Sequence, residues 1–430
     1  MTATATRSPS AAATAFDVGA FRSKFPILSR DVHGKPLVYL DNAASSQKPE
    51  AVIDAVSGYY REHHANVHRG LHVLAEEATA LYEGARSAFA RFVNADTPQE
   101  CVFVRGATEA INLVAASMSR PGHELSLKPG DKVLLTGMEH HSNIVPWQLA
   151  CEATGAEIVV AGVLDDGSLD ADAFHAHLDA GGVKIASFVW VSNALGTVNA
   201  AKELVAAAHA AGAATLVDAC QAAPHMRMDV ADLGCDFLAV SGHKMFGPTG
   251  IGVLFGKAER LAAMPPYQGG GEMIQRVSFE RSTYAAPPHR FEAGTPNMAG
   301  AVGLGAAVAF MEKELMNDPA VWAAAQAHEH ALLERATERL EAIDGLRILG
   351  TAPGKAAVVS FLVDGVHPYD LGPVLDRAGV AIRTGHHCTE PLMTRFGVPA
   401  TARASFAFYN TGEEVDVFAD ALERALTFFR

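Results

Sequence analysis

FLAVSGHKMFGPTGIGVLFG, residues 237–256, places two short apolar runs on either side of a glycine-rich turn with a single lysine, Lys244. The runs FLAVS (237–241) and GVLFG (252–256) have the length and the valine and phenylalanine content of buried strands, and the turn delivers Ser241, His243 and Lys244 to the end of the first. A lysine in such a turn is ordinarily a solvated surface residue, so its meaning depends on what surrounds it.

Similar runs recur upstream at CVFVR (101–105), KVLLT (132–136), EIVVAG (157–162), KIASFVWV (184–191) and ATLVD (214–218). Helical patterns over 109–118, 146–154, 169–179 and 201–210 fill most of the intervals. This βαβ rhythm predicts an α/β fold with a mainly parallel, doubly wound sheet. The glycine- and proline-rich stretch 265–305 breaks it. Beyond lie a long helix over 319–343, the short runs LRILG, AVVSFLV, VAIRT and ARASFAFY, a helix over 370–378 and a final helix over 413–429, together a smaller α+β domain. The expected organisation is a flexible tail 1–20, a large domain 21–305 whose first segment packs on the small domain, and a small C-terminal domain 306–430.

At 430 residues the chain exceeds what one core usually organises, and 49% hydrophobic with 19% charged residues is the composition of a globular enzyme. A net charge of −14 leaves no electrostatic footprint for nucleic acid or an anionic membrane surface, and no apolar run has membrane-spanning length. Neither nucleic acid nor membrane is an expected partner. The opening MTATATRSPSAAATAF lacks the basic start and apolar run of a signal peptide. Five cysteines without a CxxC pair argue against a disulfide framework and fit a reducing cytoplasm.

Ligands of open α/β sheets sit outside the carboxyl ends of the strands. After CVFVR, Gly106 and Thr108 open a helix whose free N–H groups suit a phosphate, or Thr108 simply caps it. After KVLLT come His140 and His141, which could stack on a flat ring, bind metal or cap a helix; no third ligand stands at metal spacing, so no metal is expected. KIASFVWV leads to Asn193, and ATLVD ends in Asp218, followed by Cys220 and Gln221. An amine, a carboxylate, a ring-stacking histidine and a phosphate cradle at one sheet edge are what pyridoxal phosphate requires: a lysine to hold it covalently, an acid on its ring nitrogen and anion donors. Lys244 is the lysine expected to carry it.

These residues lie within motifs running from about residue 21 to the C-terminus: LDNAASSQKP, HRGLH, GATEAINLVA, EHHSNIVPWQ, VSNALGT, VDACQ, SGHKMFGPTGIG, GGGEMI, RFEAGTPN, RTGHHCTEPLM and RASFAFYNT. The set resembles the SufS-like cysteine desulfurases of the class V aminotransferase group, pyridoxal phosphate fold type I. Cys388 in RTGHHC lies in a polar loop beside Arg383, His386 and His387, which favour its thiolate. Cys101 and Cys235 at strand starts and Cys151 within a helix read as buried structural thiols.

The resemblance implies L-cysteine as substrate, its carboxylate held by Arg403 with Asn193 and Arg383 assisting. It implies Lys244 as the base at Cα, Asp218 keeping the cofactor ring protonated, and His140 stacked on that ring and assisting proton transfers. Cys388 takes the sulfur as a persulfide while alanine leaves. Gln221 touches the ring oxygen, and Thr108, Ser241 and His243 hold the phosphate. Thr295 reaches a phosphate across a two-fold axis, which implies a homodimer, and His68 and Arg69 are further substrate-site residues.

Two departures stand out. Ala107 replaces a hydroxyl residue frequent in relatives, and Cys220 stands where a small alanine is usual. Tyr369 in HPYD resembles members served by a SufE-type sulfur acceptor, whereas those served by a SufU-type acceptor tend to have histidine there. The implied destination of the sulfur is iron–sulfur cluster assembly. Selenocysteine lyase and cysteine sulfinate desulfinase activities fit the same residues. A non-catalytic iron–sulfur scaffold, or a zinc hydrolase built on the histidine pairs, would be readings from other classes.

Overall fold

The computed structural model describes residues 16–429. Its centre is a seven-stranded sheet of β1 (Cys101–Val104), β2 (Lys132–Thr136), β3 (Glu157–Ala161), β4 (Val183–Val189), β5 (Ala214–Asp218), β6 (Phe237–Ser241) and β7 (Gly252–Gly256), in the order β1-β7-β6-β5-β4-β2-β3. The pairs from β6 through β3 are parallel, while β7 runs antiparallel to both β6 and β1. Six strands therefore end at the same edge. Every residue of β1, β5, β6 and β7 is buried, as expected where helices cover both faces.

Those helices include Ala107–Met118, Val145–Thr154, Ala171–Asp179 and Ala201–Ala210, each within two residues of its expected start. Beside the lysine turn the chains approach closely. A Cβ at Gly252 would stand 2.4 Å from the Val240 carbonyl oxygen and 2.6 Å from Gly106 Cα, so only glycine lets β6, β7 and the β1 turn meet there.

Two long helices carry no expectation in the sequence reading. Val73–Phe92 is one, and Met298–Met311, inside the stretch read as irregular, is the other. The second, MAGAVGLGAAVAFM, is apolar all round and so has no face to reveal its period. It packs against Val73–Phe92 and Glu50–Gly58, where a Cβ at Gly305 would meet Ala85 Cβ at 2.9 Å.

The second unit is an antiparallel sheet of β8 (Leu346–Leu349), β9 (Val358–Val363), β10 (Arg383–Gly385) and β11 (Thr401–Ser405), in the order β8-β9-β11-β10. Its core includes residues of the helices Pro319–Glu341, Pro368–Arg377 and Gly412–Leu426. VAIRT is not one strand. Val380–Ala381 pairs in parallel with Val38–Tyr39, and after Ile382 the chain continues as β10 in the other sheet. This ladder brings the N-terminal segment against the small unit, and Val38 and Leu40 join its core.

The boundary expected at 305 falls inside Met298–Met311, whose buried side chains belong to the large core. The change of core comes along Pro319–Glu341: Trp322 and Ala325 lie in the first, Leu332 to Leu340 in the second. Of the expected tail, residues 1–15 lie outside the described residues. Residues 16–20 are built into the fold, with Asp17 capping the helix Val18–Arg22 and the Phe16 ring 5.4 Å from Phe21. Among the described residues no helix is long and apolar enough to cross a membrane.

Candidate active site

Lys244 lies one turn beyond β6, and its amine makes no hydrogen bond among the described residues. It lines a cavity of about 100 Å³ together with His140, Asn193, Arg383, Cys388 and Arg403. Three connections of the large sheet thus converge on one volume with two strands of the small unit and the loop that carries Cys388.

His140 follows β2, and its Nδ1 accepts the Ser142 N–H at 3.0 Å. That bond leaves the ring proton on Nε2. Burial, then the charge of Lys244, pushes His140 down to about 3, so the ring is neutral at neutral pH. Asp218 at the end of β5 is 3% exposed, and its Oδ1 accepts the Cys220 N–H at 3.0 Å. Gln221 is also buried and donates to the Ala43 carbonyl at 2.7 Å.

Arg403 on β11 is fully buried. It donates to Asp41 Oδ1 at 3.0 Å and to the Asn193 carbonyl at 2.8 Å, while its Nε and Asn193 Oδ1 are buried without partners. Arg383 approaches the other Asp41 oxygen at 3.8 Å. Burial pushes the Asp41 carboxyl up, against the pull of both arginines.

Cys388 and His387 both adopt left-handed backbone, with φ of +58° and +52°, a costly conformation outside glycine. The loop is tied down. His141 N–H donates to the Cys388 carbonyl at 2.7 Å, Asn193 Nδ2 to that of His387 at 2.8 Å, and His387 Nε2 lies 2.8 Å from Thr401 Oγ1. The other four cysteines are buried, and burial pushes Cys101, Cys220 and Cys235 up to about 12, where they stay thiols. Cys220 Sγ sits 3.5 Å from Ser241 Oγ.

A larger cavity of about 810 Å³ is lined by Gly106, Thr108, Ser241 and His243, the last of these next to Lys244 in the chain. Gly106, with φ of +156°, is the helix N-cap, so Thr108 does not cap; Ser241 Oγ accepts the Ala107 N–H at 2.9 Å. Burial, then Lys244, pushes His243 down to about 4. Thr295 lines a third cavity of about 390 Å³ that shares Arg105, Glu109 and Gly250 with the second.

His68 and Arg69 do not line the Lys244 cavity within this chain. Arg69 pairs with Glu272 at 2.9 Å, and His68 Nε2 bonds Glu83 at 2.9 Å with His289 nearby. His68, Glu83 and His289 bring their ligand atoms within 4.8 Å of one another, but Arg86 engages both Glu83 oxygens, which makes an ion-pair network the simpler account.

Two residues escaped the sequence reading. Asp41 orients both arginines; its signal was a carboxylate directly after the short apolar run VYL. Glu139, buried and pushed up to about 8 by desolvation, accepts from Thr136 Oγ1, from Asn143 Nδ2 at 2.7 Å and from Val189 N–H at 3.0 Å. It anchors the turn that presents His140, and its signal was an acid at a strand end.

Pyridoxal phosphate fits this donor set: a free amine at Lys244, a buried carboxyl at Asp218, a neutral imidazole, and a helix N-terminus opened by Gly106 beside Ser241. Fold and site together define a pyridoxal phosphate enzyme of fold type I.

The aminotransferase class-V model matches residues 38–418. A probable cysteine desulfurase of Streptomyces coelicolor is 51% identical over 416 residues, 96% of this chain and 98% of that protein. Among solved structures, the cysteine desulfurase CsdA of Escherichia coli is similar with a TM-score of 0.87 at 38% identity, covering 96% of this chain and all of that one. A cysteine desulfurase of Thermococcus onnurineus NA1 matches with a TM-score of 0.85 at 37% identity over 94% of this chain and 98% of that one. The chain belongs to the cysteine desulfurase group of the aminotransferase class-V family.

Proposed function

We propose that the protein converts L-cysteine to L-alanine, leaves the sulfur on Cys388 as a persulfide, and passes it to a SufE-type acceptor for iron–sulfur cluster assembly in a reducing cytoplasm. The observation that carries this reading is the meeting of Lys244, Cys388 and Arg403 around one cavity.

When bound, pyridoxal phosphate supplies an electron sink for the substrate's Cα. Thr108, Ser241 and His243 would hold its phosphate, Asp218 its ring nitrogen, Gln221 its ring oxygen and His140 its face. Arg403 binds the substrate carboxylate with its guanidinium already oriented by Asp41, and Asn193 and Arg383 assist. Lys244 Nζ takes the Cα proton. The Cys388 thiolate attacks the sulfur of bound L-cysteine: an S–S bond forms, the C–S bond breaks, Cβ keeps the electron pair and takes a proton, and Lys244 returns a proton to Cα to give alanine. His140 Nε2 is positioned to hold a proton in these transfers.

We assign Thr295 to the cofactor phosphate of a partner subunit in a homodimer, with His68 and Arg69 facing that neighbouring site. The large unit would carry the cofactor, and the small unit, together with the N-terminal segment, Cys388 and Arg403. Tyr369 supports the choice of acceptor: it is 53% exposed, stacks on His367 at 5.3 Å, and its hydroxyl lies 3.3 Å from a Cβ built on Gly385, at the base of the Cys388 loop.

Peptide mass spectrometry of the holoenzyme with L-cysteine, under conditions that preserve persulfides, tests the reading. One added sulfur on the Cys388 peptide with alanine in solution is expected. Alanine with an unmodified Cys388 would reject the persulfide route.

A further inference from the structure

The His243 carbonyl oxygen, in the peptide that leads into Lys244, is held by donors from a distant segment. Ser45 Oγ and Ser46 Oγ each lie at 3.2 Å, the Ser46 N–H at 3.1 Å and Lys48 Nζ at 3.0 Å. Ser46 Oγ also accepts the Phe246 N–H at 2.8 Å, so the segment grips the turn on both sides of Lys244. Phe246 sits at φ of +64°, a conformation that an aromatic residue keeps only when its surroundings enforce it.

Lys48 is the unusual member. Its ammonium donates also to the Ser46 carbonyl and has no carboxylate partner among the described residues. Burial pushes it down to about 8. Desolvating an ammonium without a counter-ion is costly, and the hydrogen bonds to two carbonyls are what offsets it here. No step of the desulfuration uses this side chain.

We propose that Lys48 is a positioning residue for Lys244: its ammonium clamps the His243 carbonyl and thereby sets the peptide from which the Lys244 amine meets the cofactor. This rests on Lys244 carrying the cofactor. Borohydride reduction followed by peptide mapping checks that separately, since label on another lysine would sink the underlying assignment rather than the clamp.

The test is Lys48→Met in the holoenzyme, which keeps much of the side-chain volume and removes charge and donors. We expect kcat to fall about tenfold with KM for L-cysteine within about twofold, the loss of one charged hydrogen bond felt in the reacting geometry. The visible circular dichroism per bound cofactor should weaken, because the ring is then held in a less unique pose. Unchanged kcat and dichroism would overturn the proposal. So would a lowered thermal midpoint with unchanged dichroism, which is the signature of a merely structural lysine. Should Lys48→Met fail to fold, Ser45→Ala removes another donor from the same carbonyl and is decided by the same two readouts.

Discussion

Arg403 is 1% exposed, and a buried guanidinium must be paired and hydrogen-bonded to be tolerated. Asp41 and the Asn193 carbonyl occupy two of its nitrogens, and the unpartnered Nε leaves binding capacity in the site. A lysine would bring a single charged tip that cannot serve Asp41, Asn193 and a substrate carboxylate together. Arg403→Lys should lower kcat/KM for L-cysteine by about a hundredfold, mostly through KM. Steady-state kinetics giving an unchanged KM would remove Arg403 from carboxylate binding. At this scale the strand-end residues Lys244, Asp218 and His140 were legible because each lies at the end of an apolar run or within four residues of it. Arg403, on β11, was reached only through motif resemblance, whereas Cys388, in the loop after β10, was marked by its polar and basic neighbours and given its role by the resemblance. Asp41 was quoted in a motif yet given no role, because its partners lie more than 300 positions away in the chain.

The element scale shows where periodicity is informative and where it fails. The large sheet was readable strand by strand, since buried parallel strands are short, apolar and separated by helices. Met298–Met311 was not, because a helix buried on all sides presents no polar face. VAIRT was misread as a single strand because its division at Ile382 follows from two different partners, not from local composition. Packing of the large unit also relies on a buried charge at the start of β6. Asp236 is 1% exposed and accepts from Arg260 Nε at 2.9 Å, His209 Nε2 at 2.8 Å and the Thr215 N–H at 2.8 Å, tying two helices to β5. Burial raises its pKa, but the bonds from Arg260 and His209 outweigh that and hold it below the usual range. Its contribution is thus complete above the unfolded value of about 4 and is lost as pH falls through the lower folded value. Asp236→Asn should destabilise the protein by about 3 kcal/mol at neutral pH in denaturant unfolding, leaving Arg260 underpaired. That deficit should shrink on acidification into the depressed range, and a deficit constant with pH would show that Asp236 is not held as a carboxylate.

At the scale of the whole molecule, Thr295, His68 and Arg69 lie outside the Lys244 cavity of their own chain, and the proposed homodimer would bring them to the site of a second copy. Hybrid dimers can decide this. If Thr295 acts on the partner, pairing a Lys244→Ala chain with a Thr295→Ala chain leaves one intact site, so the hybrid should show about half the parental activity with parental cofactor affinity. Weakened cofactor binding in that hybrid would place Thr295 on its own subunit's cofactor. The sequence by itself determined the α/β class, the strands of the large sheet and the residues at their ends, because apolar runs and the residues next to them are local in the chain. Only the tertiary structure decided that Asp41 orients two arginines, that Lys48 grips the peptide before Lys244, and that the Cys388 loop is tied to His141 and Asn193. Each of these is a polar contact between segments far apart in sequence, and hydrogen-bond partners at that separation are chosen by how the two units pack.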